Sequence, residues 1–368
     1  MRLAKIRTKG IDLKFLITLG LLLVFGLFVL SSASFVAGQK KFGDSQYYLR
    51  EQFLKGMIIG IVGFLIFSRI PLEFLRKYSF IFLILSIGLT MMVFLPQVGL
   101  SHSGSTRWLN FGSFTFQPSE LLKLSFLIYL ASWFESRQRD LNSFNAGLLP
   151  FLIITGIIAL LLLMQPSFGT FAVIALSAAT VYFVAGGRIM HIISIGFIGL
   201  VLFFVFVFLK PYGAERLQVF LNSQKDVSGA AFQINQALMS IGSGGVKGIG
   251  INQSLSSAYL PESIGDSIFA VLAEKLGLFG VSVSLLLYVL FAIFSCQIAL
   301  KSVNSFSKFL AAGITSWILI QSFINIAAIS GLIPLTGMPL PFMSYGSSGL
   351  VMVMIGTGII ANISRHTI

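Results

Sequence analysis

The chain has 368 residues, of which 56% are hydrophobic and only 10% are charged, and its mean hydropathy is +0.93. Soluble domains carry roughly 25% charged residues, so this composition excludes an ordinary soluble globular protein. The formal net charge of +13 does not indicate nucleic-acid binding, because the basic residues cluster near the ends of apolar segments, as membrane topology requires. The single Cys296 excludes an intrachain disulfide bond.

Apolar segments of the ~20 residues needed to cross a bilayer recur along the chain. These segments do not show the alternating pattern of barrel strands. The sequence therefore predicts an all-α polytopic membrane protein with one transmembrane domain over residues 1–368. Ten spans are predicted, at 14–36, 54–70, 78–95, 119–134, 148–164, 168–185, 190–209, 267–298, 306–330 and 346–362.

Basic residues in the short loops predict the orientation. The first apolar run is longer than the ~7–15 residues of a signal peptide core, so we interpret it as an uncleaved helix with a cytoplasmic N-terminus. Ten spans then place the C-terminus in the cytoplasm as well. The predicted inside loops and tail carry Arg69, Arg76, Lys77, Arg137, Arg139, Arg188, Lys301, Lys308 and Arg365, and the basic N-terminal segment carries Arg2, Lys5, Arg7, Lys9 and Lys14. The outside loop 37–53 is an exception, with Lys40, Lys41 and Arg50.

Two predicted extracytoplasmic segments are long enough to carry function. The first covers residues 96–118, and the second is the large loop 210–266 between spans seven and eight. Within the large loop, the stretch AAFQINQALMSIGSGG predicts a short helix on or near the outer membrane surface. Its apolar residues recur at near-helical spacing, at Phe232, Ile234, Leu238 and Ile241.

Asp266 lies at the start of the eighth span, in the stretch LPESIGDSIFAVLAEKLG. One interpretation is a carboxylate that favours the positive end of the helix dipole. The other is a general base at the membrane–water boundary, because partial burial raises the pKa of a carboxylate. If the helix includes Asp266, then Glu274 lies on the same face of it, about 12 Å further along the helix axis. Lipid would not tolerate that face, so it should line protein or a water-filled cavity.

Four further residues are candidates for a substrate-binding site. Glu120 and Lys123 are three residues apart on the fourth span, so they form either a structural ion pair or the wall of an anion-binding cavity. Arg107 suits a phosphate group. Trp108 suits a sugar face, although a simple interfacial anchor explains it equally well.

The glycine-rich stretch GSGGVKGIG at 242–250 does not fit a nucleotide-binding motif, because Lys247 stands where GxGxxG requires glycine. We interpret the stretch as a flexible or tightly turned loop. Lys247 and Arg216 in the same large loop are candidate phosphate contacts or solvated surface cations. The sequence shows no zinc-type ligand motif, and a divalent cation such as Mg²⁺ or Mn²⁺ stays an open alternative.

The stretch IPLTGMPLPFMSYGSSG at 333–349 cannot continue a regular helix, because it is rich in proline and glycine. Irregular backbone at membrane depth is tolerated only against protein or a water-filled cavity. The stretch is therefore either a structural re-entrant turn or a loop lining the same cavity as Asp266.

Four long motifs together resemble the SEDS family of bacterial cell-wall proteins (shape, elongation, division and sporulation). The motifs are TRWLNFGSFTFQPSELLKL at 106–124, QINQALMSIGSGGVKGIG at 233–250, YLPESIGDSIFAVLAEKLG at 259–277 and GMPLPFMSYGSSGL at 337–350. The ending GIIANISRH at 358–366 is more similar to the division member than to the elongation member. The resemblance implies a multi-pass protein of the bacterial inner membrane whose active site faces the extracytoplasmic side.

The resemblance also implies an activity and partners. The activity is that of a peptidoglycan glycosyltransferase, which polymerises lipid II in septal cell-wall synthesis. The partners are a class B penicillin-binding protein, other divisome membrane proteins and membrane lipid. The essential aspartate of the family falls on Asp266, its cavity pair on Glu120 and Lys123, and its Arg–Trp pair on Arg107 and Trp108. The chain departs from the family pattern at Ser167, Ser267, Lys275 and Ser347.

We therefore expect Asp266 to accept the proton of the acceptor GlcNAc 4-hydroxyl, which attacks the donor and releases undecaprenyl pyrophosphate with inversion. Alternative hypotheses are a lipid II transporter (flippase) and a scaffold that recruits a class B penicillin-binding protein. An elongation role is the alternative to the division role. The outward position of the candidate charges favours the enzyme over the transporter.

Overall fold

The computed structural model describes residues 10–102, 105–110, 112, 115–209, 216–220, 229–251, 253 and 259–367. The described chain is mostly helical, which confirms the predicted fold class. The basic N-terminal segment, apart from Lys14, and parts of the large loop lie outside the described residues.

The first half of the chain forms helices that follow the predicted apolar segments. They are α1 Leu13–Phe42, α2 Tyr47–Glu51, a π-helical segment Gln52–Ile58, α3 Ile59–Phe67, α4 Leu72–Lys77, α5 Ser79–Met92 and α6 Pro118–Ser136. Two of these starts have a clear local cause. Asp12 caps α1, where its carboxylate accepts a hydrogen bond from the Phe15 N–H at 3.0 Å. α6 begins with Pro118, which needs no N–H partner at a first helical position.

The second half continues with longer helices. They are a π-helical segment Phe144–Leu148, α7 Leu149–Met164, α8 Phe168–Val184, α9 Ile189–Leu209, α10 Gly229–Gly244, α11 Ile268–Leu300, α12 Ser305–Ile329 and α13 Ser347–Ser364. α12 is the central helix, since it packs against α6, α8 and α11. Its Trp317 is fully buried. The core is therefore built around the helix that also carries the polar residues of the candidate site.

Five helices among the described residues are long and apolar enough to cross a membrane. They are Leu13–Phe42, Phe144–Met164, Ile268–Leu300, Ser305–Ile329 and Ser347–Ser364. Shorter apolar helices occur at Ser79–Met92, Phe168–Val184 and Ile189–Gly199. These helices support a multi-pass membrane protein. The count of ten spans and the orientation stay predictions.

The segment between α5 and α6 contains a small antiparallel sheet that the sequence analysis did not predict. Its strands, in the order β1-β2-β3, are β1 Gly99–His102, β2 Ser105–Asn110 and β3 Thr115–Phe116. The register pairs Leu100 with Trp108 and Leu109 with Phe116. The sheet holds Arg107 and Trp108 on a defined strand rather than on an irregular loop.

The predicted short helix in the large loop is present as α10, but its buried face differs from the predicted one. Ala231, Ile234 and Ala237 are buried, whereas Leu238 is exposed. The small side chains of Ala231 and Ala237 allow α10 to pack closely on α11, so the face that carries them is the buried one. Whether α10 lies on the membrane surface stays a prediction.

The glycine-rich stretch begins in the last turn of α10, is tightly turned after Gly244 and packs on a kink of α11. The kink is at Gly277, whose φ of 61° favours glycine. Backbone bonds join the two segments, from Ile249 N–H to the Glu274 carbonyl at 3.0 Å and from Leu278 N–H to the Gly245 carbonyl at 2.9 Å. The stretch therefore has a structural role that accounts for its glycines.

Candidate active site

A cavity of about 270 Å³ brings together five of the predicted site residues from distant parts of the chain. The five are Arg107, Trp108, Glu120, Arg216 and Asp266. They come from β2, the start of α6, the short helix 216–220 and the turn before α11. No two of these elements are consecutive in the chain, so the cavity is a product of the tertiary fold.

Asp266 lies in a turn and not in a helix. α11 begins at Ile268, after an N-cap at Ser267 whose side chain makes no capping bond. The Asp266 carbonyl accepts from Asn325 Nδ2 at 2.7 Å, and its Oδ1 accepts from Gln233 Nε2 at 3.4 Å. The predicted helical face shared with Glu274 is therefore wrong, because the turn interrupts the helical periodicity.

The environment of Asp266 raises the pKa of its carboxyl to about 7. Burial is the main cause, because it disfavours the charged form, and the neighbouring Glu262 adds like-charge repulsion. Arg216 and the amide of Gln233 act in the opposite direction. Near neutral pH the group exists as both acid and base, which is the range that suits a general base.

The irregular segment between α12 and α13 lines the cavity. This agrees with the second of the two interpretations of the stretch 333–349, a loop that lines the same cavity as Asp266. Gly337, with φ of 66°, packs directly against the acid and its cation. A Cβ added there would lie 3.6 Å from Asp266 Oδ2 and 3.5 Å from Arg216 Nη2. Arg216 also donates to the Leu335 carbonyl. The segment thus places Arg216 and Asp266 around one glycine.

Glu120 and Lys123 form a buried ion pair on α6, with Oε1 and Nζ 2.8 Å apart. The Lys123 ammonium also donates to Gln321 Oε1 at 2.7 Å and lies 5.1 Å from the centre of the Trp317 ring. Glu120 lines the cavity, whereas Lys123 is not among the lining residues. Glu120 Oε2 is buried and has no hydrogen-bond partner within the described part of the chain. Glu120 therefore contributes to the cavity wall, whereas Lys123 is held behind it inside the bundle.

Arg107 is anchored to the turn between α7 and α8. Its Nε donates to the Gln165 carbonyl at 3.1 Å, and its guanidinium also donates to the Pro166 carbonyl. Trp108 follows on the same strand. The anchoring fixes the cation beside the cavity at little further cost in side-chain entropy.

Besides Lys123, two predicted site residues do not line the cavity. Lys247 is exposed in the glycine-rich turn, and Glu274 is fully buried inside α11. Neither is among the lining residues. The structure does not support their assignment as substrate-binding residues.

Three of the four departures from the family pattern, at Ser167, Ser267 and Lys275, make polar contacts. Ser267 accepts from Gln233 Nε2 at 2.9 Å, and Ser167 donates to Thr170 Oγ1 at 2.8 Å. Lys275 donates to the carbonyls of Ser32 at 2.8 Å and Ile251 at 3.0 Å. Lys275 therefore ties α1 to α11 rather than facing the cavity.

Three amide side chains of the site were missed by the sequence analysis. Gln321 and Asn325 are buried on α12, where Gln321 donates to the Pro339 carbonyl at 2.9 Å and Asn325 donates to the Met338 carbonyl at 2.6 Å. Their spacing of one helical turn within an apolar span was a readable signal, since polar residues in spans face the protein interior. Gln233 had no comparable signal.

No group of three or more His, Cys, Asp or Glu residues that could hold a metal ion occurs within the described ranges. The other carboxylates that line the cavity of Asp266 are those of Glu262 and Glu120.

Comparisons with known proteins agree over almost the whole chain. The family described as "Cell cycle protein", which comprises FtsW, RodA and SpoVE proteins, matches residues 12–368. Stage V sporulation protein E of Bacillus subtilis is 37% identical over 97% of both chains. The probable peptidoglycan glycosyltransferase FtsW of Geobacter sulfurreducens is 34% identical over 96% of this chain and 95% of the relative.

Two solved structures share the fold. A chain from work described as "Structural coordination of polymerization and crosslinking by a peptidoglycan synthase complex" has a TM-score of 0.78 and 25% identity, over 96% of this chain and 98% of the other. The rod shape determining protein RodA of Thermus thermophilus has a TM-score of 0.72 and 22% identity, over 96% and 97% of the two chains. The second likeness concerns the fold alone.

Proposed function

The chain belongs to the FtsW, RodA and SpoVE family of cell cycle proteins, and from this premise we propose that it is a peptidoglycan glycosyltransferase that polymerises lipid II with Asp266 as its general base. The names of the relatives support the activity. The observation that carries the assignment to Asp266 is its place in the cavity, where a carboxyl with a pKa near 7 lies beside a cation.

The reaction follows from the protonation state of Asp266. Its carboxylate takes the proton of the 4-hydroxyl on the acceptor GlcNAc, and that oxygen forms a bond to the anomeric carbon of the donor MurNAc. The bond from this carbon to the pyrophosphate oxygen breaks. Undecaprenyl pyrophosphate leaves with the bonding electron pair, and the α linkage becomes a β-1,4 linkage.

Arg216 and Arg107 stabilise the negative charge that develops on the leaving pyrophosphate. Both line the cavity, and both are held by backbone carbonyls before substrate arrives. Preorganised cations stabilise a transition state more than mobile ones, because they need no reorganisation during the reaction. Glu120 lines the same cavity and is paired with Lys123.

The cellular setting follows from the chemistry. The protein lies in the bacterial inner membrane with the cavity open to the extracytoplasmic side, where the sugars of lipid II are polymerised. Its partner is a class B penicillin-binding protein, which supplies crosslinking. A fold shared with a chain of a peptidoglycan synthase complex supports this pairing.

The role proposed is septal synthesis during division. Relatives named FtsW favour it over elongation. The sporulation protein is a relative of similar closeness, so sporulation is the second candidate role. Depletion of the protein in growing cells distinguishes the roles, because filaments indicate division, rounded cells indicate elongation and a defect confined to spores indicates sporulation.

Purified protein, alone and with its class B penicillin-binding protein, tests the activity on lipid II with the transpeptidase blocked. Glycan strands from the wild type but not from Asp266→Asn, at equal complex formation, are the expected result. Strands from both proteins would contradict the role of Asp266. If neither protein forms strands and vesicles that contain only this protein translocate lipid II, the transporter hypothesis would replace the glycosyltransferase hypothesis.

A further inference from the structure

The turn that carries Asp266 is held by hydrogen bonds to its backbone from other parts of the chain. The Ile264 carbonyl accepts from the Tyr345 N–H at 2.8 Å, and the Gly265 carbonyl accepts from the Ser344 hydroxyl at 2.6 Å. The carbonyl of Asp266 itself is held from α12, as described above. Three consecutive carbonyls therefore fix this turn, and the segment before α13 holds two of them.

The hydroxyl of Ser344 joins the turn to the course of its own segment. Besides donating to Gly265, it accepts from the Leu340 N–H at 2.8 Å. A hydroxyl has one hydrogen to donate and lone pairs to accept with, so both bonds form at the same time. Because Ser344 is 7% exposed, water does not readily replace either bond. A shift of the segment before α13 is therefore passed to the turn.

The segment before α13 is held in turn by a buried glutamine from the first part of the chain. Gln52 is the first residue of the π-helical segment and is 1% exposed. Its Oε1 accepts from the Gly346 N–H at 3.0 Å, and its Nε2 donates to the Ser344 carbonyl at 3.4 Å. Only one orientation of the amide satisfies both partners. The two bonds bracket Tyr345, whose own N–H bonds to Ile264.

The π-helical segment brings Gln52 to this position. A Cβ on Gly56, four residues further along, would lie 3.3 Å from a methyl group of Leu350 and 3.4 Å from the Cα of Ser347. The glycine thus allows the segment to approach the start of α13 closely, which places the amide of Gln52 beside residues 344–346. Single π-helical turns are rare and frequently occur at functional sites.

We propose that Gln52 is a positioning residue for glycosyl transfer, which holds the turn of Asp266 in place through the backbone of residues 344–346. The inference rests on the proposed function. Gln52 is not among the residues that line the cavity of Asp266, so it acts through the turn and not on the substrate. A general base must lie within hydrogen-bond reach of the proton that it takes. A displacement of about 1 Å that originates far from the chemistry can lower the rate roughly 100-fold.

Gln52→Met tests the proposal, because it removes both hydrogen bonds with little change in side-chain volume. With lipid II as substrate, kcat should fall roughly 10- to 100-fold while KM stays close to that of the wild type. Ser344→Ala breaks the next bond of the same path and should lower kcat in the same way. Since the two residues share this path, the double variant should lose less than the product of the two single losses.

The pH profile of kcat separates a displaced base from a smaller amount of folded protein, which would scale the profile without moving it. Burial is the main cause of the raised pKa of Asp266, so a loosened turn admits water and the pKa falls from about 7 toward its usual range. The midpoint of the profile should therefore move to lower pH in Gln52→Met and in Ser344→Ala. Both variants keep the other titratable groups that line the cavity, which are Arg107, Glu120, Arg216, Glu262 and Tyr345.

Asn362→Ala is the matched control. Asn362 is a buried amide at the other end of α13, and it donates to the carbonyls of Phe67 at 3.0 Å and Ile70 at 2.6 Å. Its loss should lower the unfolding temperature about as much as Gln52→Met does, with kcat and the midpoint of its pH profile unchanged. If Gln52→Met keeps the kcat and the midpoint of the wild type, the positioning role is overturned while the glycosyltransferase stands. Equal changes in Asn362→Ala would overturn it as well.

If the wild type forms no glycan strands, the proposed function fails, and the hold on the turn is then measured without activity. The chain has five aspartates, so NMR of protein with ¹³C-labelled aspartate follows the titration of each carboxyl group, with Asp266→Asn assigning the signal of Asp266. A lower midpoint for Asp266 in Gln52→Met than in the wild type supports the hold of Gln52 on the turn. Equal midpoints overturn it.

Discussion

At the scale of single residues, the site depends on one carboxyl whose surroundings set its protonation. Burial and Glu262 raise the pKa of Asp266 to about 7, so the base is ionised above that pH and protonated below it. Polymerisation should therefore rise with pH through about 7 and level off above it. A rate that stays constant from pH 5 to 8, measured with saturating lipid II, would show that Asp266 does not limit the reaction.

Asp266→Asn should lower the rate by roughly 10²–10⁴, because general base catalysis typically contributes that factor. The same change should not destabilise the protein at pH 8. The pKa of Asp266 is raised in the folded state, so the neutral acid contributes to the free energy of unfolding fully below the pKa of the unfolded chain. That contribution is lost as the pH rises through about 7, so at pH 8 the wild type no longer has it. Thermal unfolding in detergent at pH 8 checks this. A marked drop in the unfolding temperature would indicate that the carboxylate is needed for the fold.

Gly337 tests the arrangement of Asp266 and Arg216. Gly337→Ala adds a methyl group 3.6 Å from the carboxylate and 3.5 Å from the guanidinium, at a φ of 66° that disfavours L side chains. Gly331→Ala is the matched control, because Gly331 has a φ of 72° in the same segment and faces only methyl groups of Leu238. Both variants should lose about 1–2 kcal/mol of stability from backbone strain. Only Gly337→Ala should also lower kcat; equal losses of kcat would remove Gly337 from the site.

At the scale of secondary-structure elements, the kink of α11 and the glycine-rich turn form one unit. A Cβ on Gly277 would collide with the backbone of Gly248 and Val246. Gly277→Ala should therefore unfold the protein at a markedly lower temperature. Gly242→Ala is the control, since a Cβ there meets nothing within 4 Å, and alanine in a helix is favoured by roughly 0.5–1 kcal/mol. The two variants are compared by their unfolding temperatures and by the fraction that stays monomeric on gel filtration. Equal values for Gly277→Ala and Gly242→Ala would contradict the packing of the kink.

The elements also show why the sequence predicted one part of the site and not the rest. Apolar periodicity predicted the helices, and the motifs singled out Asp266 with Glu120. The strands at 99–116 were missed because they are short and lie in a polar segment. The proximity of Arg216 and Gln233 to Asp266 was not predictable from spacing, because it depends on how α10 packs on α11 and on the path of the segment before α13.

At the scale of the whole molecule, apolar length alone identified the helices but leaves their orientation to experiment. Substituted-cysteine labelling in a Cys296→Ala background tests it in intact cells. The positive-inside rule places the loop with Lys301 and Lys308 in the cytoplasm, and the candidate chemistry places the glycine-rich turn outside. Val246 is 69% exposed in that turn and Val303 is 48% exposed in the loop between α11 and α12. A membrane-impermeant maleimide should therefore label Val246→Cys in intact cells, and Val303→Cys only after the membrane is opened.

The two cysteines make the orientation falsifiable, because α11 is the one described membrane-length helix between their positions. Labelling of Val303→Cys and protection of Val246→Cys would invert the protein and place the cavity of Asp266 on the cytoplasmic side. Lipid II polymerisation outside the cell would then be excluded for this cavity. Labelling of both from outside would mean that α11 does not cross the membrane, despite its 33 residues and apolar composition. The expected pattern requires the base and the two arginines to meet the substrate from outside, as the proposed chemistry demands.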